Sequence, residues 1–216
     1  MAAQKTKLLD DQNAQKVVDE LEKLYKNARY FLHFDTTVNL LVGAIIEART
    51  KDEVVIKVTS ELFKRYHTAK DYARATPEEL LKYMRQATFA GNKAKSVIEA
   101  CKIIEHKYGG KVPSTMEELT ELPGIGRKTA NTILINGFGI VEGMPIDTWA
   151  MRVSYRLGLT DKTDPEEVEE DLKAKVPKKY WANFAYVLKA HGKAICNIVP
   201  QCNRCPLSGI CPKNSV

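Results

Sequence analysis

Cys196, Cys202, Cys205 and Cys211 crowd into sixteen residues near the end of this 216-residue sequence, separated by five, two and five others. Thiolates spaced this closely can converge on one centre, so the segment reads as a loop wrapped around a metal or an iron-sulfur cluster, not as a disulfide framework. A second chemical candidate is the string Leu122-Pro123-Gly124-Ile125-Gly126-Arg127-Lys128-Thr129-Ala130. Its glycines permit a tight reversal between helices and bring bare backbone N–H groups close to a ligand. The start of the following helix adds positive potential, and the site suits a phosphate. A third is Asp147, nineteen residues beyond Lys128. It stands before Thr148, Trp149 and Ala150 as a helix N-cap would, and its carboxylate can steady a developing positive charge or assist proton transfer.

The elements that must position these groups read as helices. Thr50 with Glu53 predicts a capped helix running to about Arg65, and Thr76, Pro77 and Glu79 predict another. Ser114 with Glu117, and Asp164 with Pro165 and Glu167, repeat the device. Val97, Ile98, Cys101, Ile104 and Tyr108 recur at helical period until Gly109 and Gly110 stop the run. Leu40 to Ile46 is apolar all round, as suits a helix buried at the centre of a bundle. Convincing strand alternation is hard to find, and the expected fold class is all-α.

Composition sets bounds on function. At 44% hydrophobic content the chain can bury one sizeable core or two modest ones without covalent staples. Met1 to Asp10 has no signal-peptide core, and Leu40 to Ile46 is too short to cross a bilayer. The expectation is a soluble protein in the reducing interior of the cell, where clustered cysteines bind metal. A net charge of +6 permits an anionic partner such as nucleic acid without demonstrating one. Cys101 reads as a small core residue, and the four histidines have no partners at metal or triad spacing.

The string from Leu122 to Ala130, the segment Ile146-Asp147-Thr148 and the terminal cysteine loop occur in the order seen in the helix-hairpin-helix DNA glycosylases. The chain resembles that group, and within it the endonuclease III family, from about Val38 to Cys211. The resemblance implies a bifunctional base-excision repair enzyme, a DNA N-glycosylase and AP lyase that removes oxidised pyrimidines and cuts the strand at the abasic site. It implies a helical barrel domain (31–141) holding the hairpin and a cluster domain built from both chain ends (1–30 and 142–216), with DNA bound across the groove between them. Lys128 matches the family's nucleophile: its amine attacks the sugar C1′ and leaves an imine, from which β-elimination breaks the strand. To attack, that amine must first shed its proton, which partial burial, Arg127 and the positive helix terminus are expected to favour. Asp147 matches the essential carboxylate.

The DNA contacts implied are Gly124, Gly126, Arg127 and Thr129 in the hairpin, with Lys93 nearby. Phe89 falls where relatives present an apolar wedge into the gap left by an extruded base. Arg49 falls where many carry glutamine, and Trp149 where many carry histidine; these departures bear on which lesion is recognised. By resemblance, Cys196, Cys202, Cys205 and Cys211 hold a [4Fe-4S] cluster in preference to zinc, which thiolate chemistry alone would also allow. The expected partner is double-stranded DNA with a damaged base or abasic site, with no membrane association, and the protein is expected to be a monomer. Two alternatives stand: a monofunctional mismatch or alkylation glycosylase of the same fold, and a non-enzymatic helix-hairpin-helix DNA-binding module.

Overall fold

The computed structural model describes residues 6–216, and no strand occurs among them. Residues 1–5 of the expected 1–30 segment lie outside the described residues. In chain order the α-helices are α1 (Asp11–Leu24), α2 (Thr37–Glu47), α3 (Asp52–Arg65), α4 (Ala69–Arg74), α5 (Pro77–Met84), α6 (Ala90–Tyr108), α7 (Met116–Thr120), α8 (Arg127–Ile133), α9 (Thr148–Arg156), α10 (Pro165–Lys175) and α11 (Trp181–Ala194). The chain divides into two compact units: Phe31–Ile140, and a second made from the chain up to Tyr30 together with everything from Val141 onward.

In the Phe31–Ile140 unit the apolar run becomes α2, buried at every position from Val38 to Glu47. A helix with no polar face is stable only when surrounded, and α3, α6 and α8 pack around this one. The helix α6 carries its buried stripe through Ala94, Val97, Ile98, Cys101 and Ile104 against α4 and α5. Cys101 is fully buried and its thiol is pushed up to about 12 by burial, which makes it inert packing. A π-helical turn, Leu134–Phe138, continues α8.

The capping arithmetic holds at two predicted starts and shifts at two. Thr76 and Glu79 form a reciprocal capping box on α5, and Asp164 accepts from the backbone N–H groups of Glu166 and Glu167 on α10. The cap of α7 is Thr115, not Ser114, because its hydroxyl is the one that reaches Glu118 N–H. Helix α3 starts one residue after Lys51, which makes no side-chain cap. Thr50 is turned inward for a different task.

The chain-end unit packs α1, α9, α10 and α11 around Val17, Leu21, Ile146, Val153, Leu172, Phe184 and Leu188. Its two chain segments are stitched by backbone. Leu9 N–H donates to Gly158 carbonyl at 2.9 Å, and Asn214 exchanges hydrogen bonds with both backbone groups of Lys7 at 3.0 and 2.9 Å. Gly158, at φ +71°, leaves no room for a Cβ, which would lie 2.7 Å from the Lys7 carbonyl. No helix of the described residues is long and apolar enough to cross a membrane.

Candidate active site

The hairpin joins α7 to α8. Gly124 takes φ +85°, and a Cβ there would press on Ser96 at 3.0 Å and Ile45 at 3.3 Å, so both conformation and space call for glycine. Gly126 is the N-cap of α8, with open space where a side chain would stand. Arg127 and Lys128 open the helix half-exposed, whereas Thr129 is buried. Thr129, expected among the DNA contacts, has its side chain packed inward.

Lys128 is the centre of the arrangement. Its Nζ lies 2.8 Å from Oε1 of Glu47, the last residue of α2, with side-chain exposures of 28% for the lysine and 9% for the glutamate. The amine thus remains reachable while its counter-ion is sheltered. Its ion-pair partner is a carboxylate, which the expected influence of Arg127 and the helix terminus did not include.

Lys93, expected among the DNA contacts, is turned inward. It is 7% exposed, and its ammonium donates to the carbonyls of Ile46 and Ala48 at 2.8 and 2.5 Å and to the Thr50 hydroxyl at 2.8 Å. Burial pushes it down to about 8, against the pull of the Glu47 charge. These bonds satisfy carbonyls at the end of α2 that have no helical partner. Thr50 completes the clamp by accepting from the N–H of Thr88 at 3.2 Å.

That clamp ties together two turns. Arg49 precedes Thr50 and Phe89 follows Thr88; both are exposed and both take the left-handed backbone conformation, at φ 55° and 56°. A non-glycine residue there costs roughly 1–2 kcal/mol and persists only where its surroundings impose it. Phe89 is 59% exposed, an aromatic held out into solvent on a strained turn.

In the chain-end unit, Asp147 is the N-cap of α9. Its Oδ1 accepts from the N–H groups of Trp149 and Ala150 at 2.9 and 2.8 Å, and its Oδ2 lies 3.9 Å from Lys189 Nζ. One oxygen is thus fixed by the helix while the other faces a cation. Trp149 packs against Gly192 of α11, where a Cβ would come within 2.6 Å of the indole, and the Arg152 guanidinium stacks on its ring at 4.3 Å.

Cys196, Cys202, Cys205 and Cys211 are all free thiols and line one pocket with His191 and Arg156. Among the described residues no three metal-ligating side chains form a single-ion site. Arg156 donates to the carbonyls of Asn197 and Ile198 at 2.5 and 3.1 Å and lies 3.7 Å from the Cys196 sulfur. Lys213 N–H donates to the Cys211 sulfur at 3.3 Å, and His191 Nε2 sits 3.7 Å from the Cys205 sulfur. Burial and neighbouring thiolates push Cys205 and Cys211 up. Four such thiolates coexist most readily around a cationic centre, and the groups near the sulfurs can steady the negative charge the thiolates carry.

Residues 42–178 match the family described as HhH-GPD superfamily base excision DNA repair protein. Endonuclease III of Synechocystis sp. is 42% identical over 202 residues, which span 93% of this chain and 92% of that protein. The chain belongs to the endonuclease III family. Endonuclease III of Thermotoga maritima is 37% identical over 80% of this chain and 81% of its own. Among solved structures, a trapped endonuclease III–DNA covalent intermediate superposes with a TM-score of 0.91 at 34% identity, covering 96% of this chain and 98% of that one. A thermostable thymine-DNA glycosylase shares the fold at 21% identity, with a TM-score of 0.83.

Sequence reasoning missed Glu47, the Thr50 clamp and Lys189. The signal for Glu47 was a lone carboxylate closing an otherwise apolar run. Charge at the end of a wholly buried helix is costly unless paired.

Proposed function

We propose that this family member removes oxidised pyrimidines from duplex DNA and cleaves the strand at abasic sites through an imine formed on Lys128. The carrying observation is the half-sheltered amine beside the Glu47 carboxylate, at 2.8 Å, on the helix that follows the glycine hairpin. The amine lone pair forms a bond to C1′ and, on a damaged nucleotide, the glycosidic electron pair leaves with the base. Loss of a C2′ proton from the imine then breaks the C3′–O bond. Asp147 serves as the carboxylate that steadies positive charge on the sugar, through the Oδ2 that does not bind the helix backbone.

Phe89 fills the gap left by the extruded nucleotide, and Arg49, Gly124, Gly126 and Arg127 hold the backbone around it. Trp149 acts on lesion choice through the packing it shares with Gly192 and Arg152. Cys196, Cys202, Cys205 and Cys211 would hold a [4Fe-4S] cluster that fixes the loop and the exposed Lys193, Arg204 and Lys213 around it. Iron and sulfide analysis of purified protein tests the cluster against zinc.

The decisive assay is borohydride trapping on duplexes bearing thymine glycol, a bare abasic site, 8-oxoguanine or uracil and thymine mismatches. Thymine glycol and the abasic site are expected to give a covalent adduct that Lys128→Ala abolishes. An undiminished adduct in that variant, or base release that needs alkali to cut the strand, would overturn the assignment.

A further inference from the structure

We propose that Glu47 is the base that deprotonates Lys128 for attack, an inference that rests on the lyase reading above. The pair links two helices 81 residues apart, with Nζ to Oε1 at 2.8 Å. The carboxylate arrives with little freedom. Its residue's own carbonyl accepts from Thr50 N–H at 2.9 Å, while Lys93 holds the carbonyls on either side of it, Ile46 and Ala48. The buried clamp thus fixes the backbone on both sides of this one carboxylate, and the proton acceptor sits against the atom that must lose a proton. Titratable groups facing Glu47 include Lys128 on α8 and Lys93 on α6, and Arg127 precedes Lys128 in sequence. Of the two lysines, Lys93 is spent on neutral oxygens and buried, so Lys128 is the one with both an acceptor and access.

The protons balance through one carboxyl group. Glu47 takes a proton from the Lys128 ammonium, and the freed lone pair bonds to the aldehyde carbon of an open abasic sugar. The carbonyl π pair moves to oxygen, which receives that proton from Glu47. A second proton passes from the carbinolamine nitrogen to Glu47 and then to the departing hydroxyl. Water leaves, the protonated imine remains and the carboxylate is restored.

The test is single-turnover borohydride trapping on abasic duplex across about pH 6 to 9.5, using wild type, Glu47→Gln, Glu47→Asp and Lys128→Ala. Glu47→Gln is expected to bind the duplex as wild type does and to trap about a hundredfold more slowly near pH 7. Its rate should climb steadily with pH, where the wild type has reached a plateau, because solvent must now take the proton. Glu47→Asp keeps a carboxylate one methylene further away and should slow trapping by about tenfold with the wild-type pH profile; it decides the matter should the glutamine variant not fold. A Glu47→Gln profile matching wild type, or a faster reaction on release of the ion pair, overturns the proposal, as does wild-type speed in Glu47→Asp. A wild type that traps nothing, or whose adduct survives Lys128→Ala, overturns the lyase reading itself and this inference with it.

Discussion

Lys93 and Lys128 reach the same end of α2 from different helices and are used in opposite ways. Lys93, from α6, is closed off among two carbonyls and a hydroxyl, and burial brings it down to about 8. Lys128, from α8, keeps 28% of its side chain exposed and faces a carboxylate. A depressed pKa is often taken as the mark of a nucleophilic lysine, yet in Lys93 it comes from burial among backbone oxygens. The difference teaches that burial makes an anchor, whereas an amine nucleophile needs access and somewhere to send its proton.

Exchanging each lysine for methionine should separate the two roles most sharply. Lys128→Met is expected to reduce trapped adduct to background and also to lower the urea midpoint, since it takes one partner from the buried Glu47 carboxylate. Lys93→Met leaves the Ile46 and Ala48 carbonyls and the Thr50 hydroxyl without their donor, and should cost about 3 kcal/mol in urea unfolding. Its folded fraction should still form adduct. If Lys93→Met kept full stability and lost the adduct, the assignment of roles would be reversed.

The same contrast has a pH signature. Between about 8 and the ordinary value of 10.5, the unfolded chain holds a proton on residue 93 that the folded chain has released. Stability therefore rises with pH across that window, and the wild type should gain on Lys93→Met by up to about 3 kcal/mol from pH 8 to 10.5. Denaturant curves for both proteins at several pH values check the slope, and parallel behaviour would break the argument. The smallest effect expected is at the turn the clamp supports. Phe89→Gly relieves a left-handed residue at φ 56° and should stabilise the fold by about 1 kcal/mol, while excision from intact duplex falls relative to cleavage at a bare abasic site.

Much of the scaffold was legible in the residues themselves. The apolar stretch from Leu40 to Ile46 announced a buried helix, Thr76 and Asp164 announced helix starts, and Gly109 announced a stop, because each acts through its nearest neighbours along the chain. Asp147 as a cap was readable for the same reason. Thr50 misled: capping spacing to Glu53 was present, but the hydroxyl found better use with Lys93 and Thr88, which are far away in sequence. Likewise Lys93 was placed among the DNA contacts, and only the tertiary structure shows it buried against the end of α2.

The sequence by itself determined the helical class, the glycine hairpin with its lysine, the capping aspartate and the spacing of four thiols. Those follow from local backbone preference, periodicity and residue chemistry. Tertiary structure alone decided that Glu47 would meet Lys128 and that Lys93 would be sealed beneath two strained turns. Such contacts join residues tens of positions apart, and their partners are chosen by how helices pack around α2, which no local pattern encodes.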